Sequence, residues 1–272
     1  MFILVFLFKT SSLCWAAPNS HNEKKTYSYL SSFLDTHDSI TLEMKEKAID
    51  KFISFNQSFN IHPTSESKTL RRLFFSVQET FLKEYSLYSS FYHTLESGKY
   101  DCLTASVLYA IFLEDIKQRG DFDYVYQIVQ MPTHVFIKIT LSDKSEIIFE
   151  STDSKKGFIA TPKAIDFYVK DQIEIASKQR EQESVLKLDN TVFNNLLTLE
   201  QVSPLLYFNQ GVLFFNQRKF GKSIQMAQNA LFLEKNKTYY LLIQLSLQEM
   251  KKECEINNSF VKTNFKYTQI SK

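Results

Sequence analysis

Only five glycines and five prolines punctuate the 272 residues, well below the roughly 12% of a chain that these two types usually supply. Tight turns depend on them, because glycine tolerates positive φ and proline presets a turn, so this chain cannot be built mainly from hairpins. Helices should dominate, with a modest sheet where alternation demands one. The same scarcity excludes collagen-like chains and Gly- or Pro-rich disordered ones. At 44% hydrophobic and 23% charged, the profile is globular, with room for one large or two small domains. A net charge of +2 gives no reason to propose nucleic acid as a partner.

From Thr26 to Tyr92 apolar residues recur at helical spacing. Leu42, Met44, Ala48, Ile49, Phe52 and Ile53 form one stripe after Thr41, and Leu70, Leu73, Phe74, Val77, Phe81 and Leu82 form another after Ser67 or Lys68. A third helix is predicted from Cys102 to Gln118, with Leu103, Val107, Leu108, Ile111 and Phe112 on its apolar side and Gly120 as its left-handed stop. The period then drops from near four to two. Tyr124 to Val129 alternates, Met131-Pro132 breaks the run, and His134 to Thr140 alternates again. Glu146 to Glu150 gives a further short strand, and Gly157-Phe158-Ile159 an edge, so the sheet should be small and mainly antiparallel. Asp171 to Asp189 is dense in charge and reads as a solvated connecting helix.

At the N-terminus, the apolar run Phe2–Phe8 precedes Lys9 and the small-residue exit Ala16-Ala17-Pro18. It is too short to span a bilayer and resembles a signal peptide ending at Ala16, although a basic start is missing. Export is therefore expected, the alternative being a short buried or disordered N-terminal segment. Cys14 lacks the small residues that precede a lipid-anchored cysteine, so lipidation is not expected. Cys102 and Cys254 would remain, too few for a disulfide scaffold, though they could pair in an oxidising compartment. No Cys-x-x-Cys or His-Glu-x-x-His occurs, and neither a metal nor an organic cofactor is expected.

In the C-terminal third, Tyr207, Gly211, Phe214, Phe220, Ser223, Ala227 and Ala230 fall where a tetratricopeptide repeat places its large and small packing residues. A second unit through Thr238, Leu241, Leu242 and Leu245 is incomplete. One unit cannot bury its own face, so it must pack on the middle of the protein, on a neighbouring helix pair or on a partner. Gly221-Lys222-Ser223 imitates the end of a phosphate loop, but Asn216 stands where the earlier glycine is needed, and a nucleotide site is discarded.

Chemistry concentrates in the middle. Cys102 follows the turn Ser97-Gly98-Lys99-Tyr100-Asp101 and opens an apolar helix, where the helix dipole and free N–H groups favour a thiolate. Asp101 beside it would oppose that, or cap the helix. His134 starts a strand whose alternation groups it with Phe136 and Lys138, opposite a buried Val135, Ile137, Ile139 face. Glu150 ends the next strand, where a carboxylate can hold the imidazole, with Asp153 as the alternative acid. Singly these read as a small core thiol, a satisfied histidine and a surface carboxylate; as an ordered set they have the roles of a cysteine-histidine-acid triad.

Tyr100-Asp101-Cys102-Leu103-Thr104-Ala105, Pro132-Thr133-His134-Val135-Phe136 and Phe149-Glu150-Ser151-Thr152-Asp153 resemble the transglutaminase-like cysteine-enzyme superfamily, and more narrowly its bacterial branch with tetratricopeptide-type helices after the enzyme domain. The resemblance implies an α+β, papain-like core in which a nucleophile helix packs on an antiparallel sheet, followed by an all-α segment. It makes Cys102 the nucleophile, His134 the base and then acid, and Glu150 the orienting carboxylate, acting on a peptide or protein amide. Glu150 departs from the aspartate usual in the superfamily, and Leu103 stands where an aromatic often follows the nucleophile. The expected organisation is a signal peptide over residues 1–16, N-terminal helices over 17–95, the core over 96–170, the charged helix over 171–190, tetratricopeptide-like helices over 191–252 and a loose tail over 253–272. The function expected is that of an exported thiol peptidase or amidase. The alternative is an inactive scaffold that binds a protein through its helical repeats.

Overall fold

The structure is a computed structural model describing residues 21–59, 61, 65–119, 122–131, 134–182 and 195–270. The expected signal peptide, Cys14 and Gly120 lie outside them. Three helices open the chain: α1 (His21–Leu34), α2 (Leu42–Ser58) and α3 (Glu66–Phe81). Thr41 caps α2 by accepting from the Met44 N–H, and Ser65 caps α3 through Lys68 N–H, so α3 starts slightly before its apolar stripe. A two-residue strand β1 (Glu84–Tyr85), the short helix α4 (Phe91–Glu96) and strand β2 (Lys99–Tyr100) lead into α5 (Cys102–Gln118). β1 and β2 pair in parallel.

Helix α5 is the axis of the core. The sequence suggests one apolar side, but Ala105, Val107, Tyr109, Ala110, Ile111 and Leu113 are all fully buried, so every face is covered. The N-terminal helices flank it, and the sheet takes another side. Phe52 stacks on Phe112 at 4.3 Å between ring centroids, and Phe74 stacks on Tyr109 at 5.4 Å.

Five antiparallel strands make the main sheet: β3 (Val125–Gln130), β4 (Val135–Thr140), β5 (Glu146–Phe149), β6 (Phe158–Ile159) and β7 (Asn195–Leu197), in the order β6-β5-β4-β3-β7. Ile128, Ile137, Ile139, Ile147 and Phe149 belong to the same apolar cluster as α5. The opposite face is not the polar surface that alternation suggests. Helix α6 (Pro162–Gln182) lays Ile165, Tyr168 and Val169 over Val129, Met131, Phe136 and Ile148. The sheet is thus covered on both faces at this end, while Gln127, Lys138 and Glu146 on the outer face stay partly exposed; each fully buried side chain contributes about 1.5–3 kcal/mol.

Three expected boundaries move. The charged helix begins at Pro162 rather than near Asp171, because proline suits a first helical turn and the apolar positions Ile165 and Tyr168 need the sheet. Residues 183–194, the end of that expected helix, lie outside the description. The segment expected to be wholly helical opens with β7, which closes the free edge of β3 through Ile128–Leu197 and Gln130–Asn195 pairing. After a 3-10 turn (Leu199–Gln201) come α7 (Ser203–Asn216), α8 (Phe220–Leu233) and α9 (Lys237–Ile270). The expected tail from residue 253 is a continuation of α9, since neither glycine nor proline follows Gly221 to end it. In the α7–α8 pair a Cβ on Gly211 would come within 3.0 Å of Leu242 Cδ2 and 3.4 Å of the Ser223 carbonyl oxygen, so the small residue permits close approach of the helices. The chain is a mixed fold of helices and one small antiparallel sheet.

Candidate active site

The thiol position is built from a helix start. Asp101 is the N-cap of α5: its Oδ1 accepts from Thr104 N–H over 2.8 Å, while Thr104 Oγ1 accepts from Asp101 N–H over 3.0 Å, a reciprocal capping box. Cys102 is therefore the first helical residue, half-buried, with an N–H that has no acceptor within the helix. Asp101 itself is buried, and its Oδ2 accepts from Asn209 Nδ2 of α7 over 2.6 Å. Burial raises the Asp101 carboxyl above its ordinary range, and the Thr104 and Asn209 hydrogen bonds oppose that rise.

The imidazole comes from the sheet. Met131 N–H donates to the His134 carbonyl over 2.8 Å, fixing the start of β4 after its turn. One helical turn beyond Cys102, Ser106 Oγ donates to the Val135 carbonyl over 3.2 Å and locks α5 against the residue next to His134. The imidazole Nε2 lies 2.6 Å from Glu150 Oε2. With Nε2 committed there, Nδ1 is the nitrogen left for the thiol. Burial alone would push the His134 imidazole down, but hydrogen bonds to Cys102 and Glu150, and their charges, raise it to about 10.

Glu150 is held from four directions. Oε1 accepts from Thr152 N–H over 2.8 Å and from the Thr152 hydroxyl, while Oε2 accepts from the Tyr168 hydroxyl in addition to facing His134. Burial would raise its carboxyl, yet His134, Thr152 and Tyr168 outweigh burial and lower it. Gly157 makes this turn possible, because a Cβ there would overlap the carbonyl oxygens of both Glu150 and Asp153. Asp153 serves the turn itself, accepting from Lys155 N–H at 3.0 Å and Lys156 N–H at 2.8 Å. The structure thus brings Cys102, His134 and Glu150 together and gives Asp153 a different job.

Four neighbours escape sequence reasoning. Thr152 carried a signal, since a hydroxyl two residues after a carboxylate commonly bonds back to it. Tyr168 and Asn209 reach the site from helices distant in sequence, and no local pattern marks them. Tyr85 of β1 stands near the Cys102 thiol; burial pushes its phenol up, and the charges of Cys102 and Asp101 add to this. The competing disulfide does not form: Cys102 and Cys254 are both free, and Cys254 is exposed on α9. Among the described residues no group of three or more His, Cys, Asp or Glu is arranged to hold a metal ion, and no helix is long and apolar enough to cross a membrane.

No protein-family model matches the sequence, and no curated protein does. Among solved structures, the chain is similar to menin, from a crystal structure titled as revealing the binding site for Mixed Lineage Leukemia (MLL) protein. The match has 12% identity and a TM-score of 0.35, and it covers 84% of this chain and 56% of the menin chain. The chain therefore spans little more than half of menin's length, and that TM-score is too low for a shared fold to be read from it.

Proposed function

We propose that this protein is a thiol enzyme with a papain-like core of the transglutaminase-like type, acting on amide bonds of a peptide or protein as a peptidase or amidase. The observation that carries this reading is the half-buried histidine 2.6 Å from Glu150, with a thiol at a helix start beside its ring. In this reading Cys102 gives its proton to His134, and Sγ attacks the substrate carbonyl carbon. Collapse of the tetrahedral intermediate breaks the C–N bond as His134 returns the proton to the leaving amine, leaving a thioester on Cys102. Water or an amine then attacks the thioester with His134 as base. Glu150, pinned by Thr152 and Tyr168, holds the ring orientation and stabilises the imidazolium.

Export belongs to the reading on the strength of the Phe2–Phe8 run alone. A protein partner on the helical segment is favoured by Phe232, Tyr240 and Leu233, which lie exposed on α8 and α9. That partner could equally serve an inactive scaffold, and nucleophilicity separates the two. Wild-type protein should be alkylated by iodoacetamide at Cys102 in mildly acidic buffer, and His134→Ala should lose on the order of tenfold or more of that rate, because the thiolate is the reacting form. Equal rates in the two proteins refute the enzyme reading and turn attention to partners of the helices.

A further inference from the structure

Strand β1 is only two residues long and open to the surface, yet its position is tightly specified. Tyr85 stands in parallel register with Tyr100, and Ser86 N–H donates to the Tyr100 carbonyl over 2.7 Å. The residue two beyond Tyr100 is Cys102, so the register places Tyr85 beside the start of α5 and near the thiol. Tyr100 meets the Tyr85 ring edge-on at 5.7 Å between centroids and sets its plane. From the other side, Gln210 Nε2 of α7 donates to the Tyr88 carbonyl over 3.0 Å and ties down the loop that follows β1. Tyr85 nevertheless remains 47% exposed. A half-exposed side chain held beside the thiol borders the path of an acyl group arriving from solvent.

An oxyanion needs donors already in place, and the Cys102 N–H at the helix start supplies one. We propose that Tyr85 is a catalytic residue that supplies the second: its O–H and the Cys102 N–H jointly receive the substrate carbonyl oxygen as negative charge develops on it. This rests on the thiol-enzyme reading. Sγ bonds to the acyl carbon, the carbonyl π pair moves onto oxygen, and the two donors hold that oxygen without giving up their protons. When the carbonyl reforms, the leaving group departs, an amine with the proton from His134 or a phenolate with none. Burial, followed by the charges of Cys102 and Asp101, keeps the Tyr85 phenol protonated and hence a donor.

Two small probes separate this role from a structural one. p-Nitrophenyl acetate acylates a thiol through an oxyanion and releases p-nitrophenolate, whereas iodoacetamide alkylates by displacement at a saturated carbon and forms none. Both rates are measured on full-length wild type and Tyr85→Phe, at a pH where alkylation no longer rises, so that the thiolate fraction cancels. The variant keeps the ring that packs on Tyr100, and a wild-type melting curve verifies its fold. Tyr85→Phe should lose about 10²- to 10³-fold in acylation and alkylate at close to the wild-type rate. Acylation that stays near wild type, or two rates that fall together, overturns the assignment, as does wild-type protein that alkylates in a His134-dependent way but is never acylated. Failure of the underlying reading looks different, since alkylation of the wild type would then not depend on His134.

Discussion

Asn209→Ala tests the most consequential link between the C-terminal helices and the start of the Cys102 helix. The Asn209 amide donates over 2.6 Å to a carboxylate that is only 3% exposed, and the other carboxylate oxygen is already occupied by the Thr104 N–H. Removing the amide leaves a buried oxygen without its partner, and a hydrogen bond to a charged group of this kind is worth about 1.5–3 kcal/mol. For a chain of this size that corresponds to a loss of roughly 3–6 °C in Tm. The pH dependence has a definite sign. Burial already raises the Asp101 carboxyl and Asn209 opposes that rise, so in the variant the carboxyl moves further up. A carboxyl raised in the folded state costs stability above its folded pKa and nothing below its unfolded value of about 3.9. The deficit should therefore be largest at neutral pH and shrink on acidification. Differential scanning calorimetry of both proteins from neutral pH to about pH 4 reads both quantities. A Tm within about 1 °C of wild type at neutral pH, or a deficit that grows on acidification, would refute the argument.

Further outcomes follow from the other contacts. Glu150→Gln should lower His134-dependent thiol reactivity by about 10²-fold or more, while Asp153→Asn leaves it near wild type because Asp153 bonds only its own turn; the reverse order would move the acid to Asp153. Tyr168→Phe should reduce acylation of Cys102 by about tenfold and lower the melting temperature by a few degrees at most, since the hydroxyl that braces Glu150 is lost while His134 still faces the same oxygen. The imidazole of His134 is raised to about 10 from 6.5, so its contribution to stability is complete below about pH 6.5 and is lost as pH rises through that raised value. Urea midpoints of wild type and His134→Gln should accordingly converge at alkaline pH, and a gap that widens there would contradict the pairing. Truncation before Asn195 should yield aggregating protein, because it uncovers the β3 edge and removes Asn209 and Gln210 together; a soluble monomer, seen by sedimentation, would count against that dependence.

Much of the fold is legible because it depends on local periodicity. Helix α5 starts at Cys102 and ends at Gln118 as its apolar spacing and cap predict, and the change of period after Tyr124 marks the sheet. What is not legible depends on partners distant in sequence. Asn195-Leu196-Leu197 does not alternate, and only the unpaired edge of β3 makes it a strand. Phe136 belongs by alternation to an outer face, but that face is outer only if nothing covers it, and α6 does. The charge of Asp171 to Asp189 masks the apolar start of the same helix, where Ile165 and Tyr168 carry the packing.

The candidate site divides along the same line. Cys102, His134 and Glu150 each sit at an element boundary, a helix start or a strand end, and boundaries are what turn residues and periodicity reveal. Their supports sit in element interiors or on two-residue strands. Tyr168 lies in mid-helix, Asn209 in the middle of α7, and Tyr85 on a strand whose existence depends on pairing with β2. Side chains that orient a reactive group must be fixed by packing before they can fix anything else, so they come from positions whose local sequence is dominated by packing. The same logic bears on the helical segment, which leaves the choice between packing and partner open when read alone. Asn209 on Asp101, Gln210 on Tyr88 and the Lys222–Asp38 ion pair tie α7 and α8 to the core at separate points, two of them within a few residues of the thiol or of Tyr85. Anchored in this way, the α7–α8 pair packs on the core, while Phe232 on α8 and Tyr240 on α9 stay exposed.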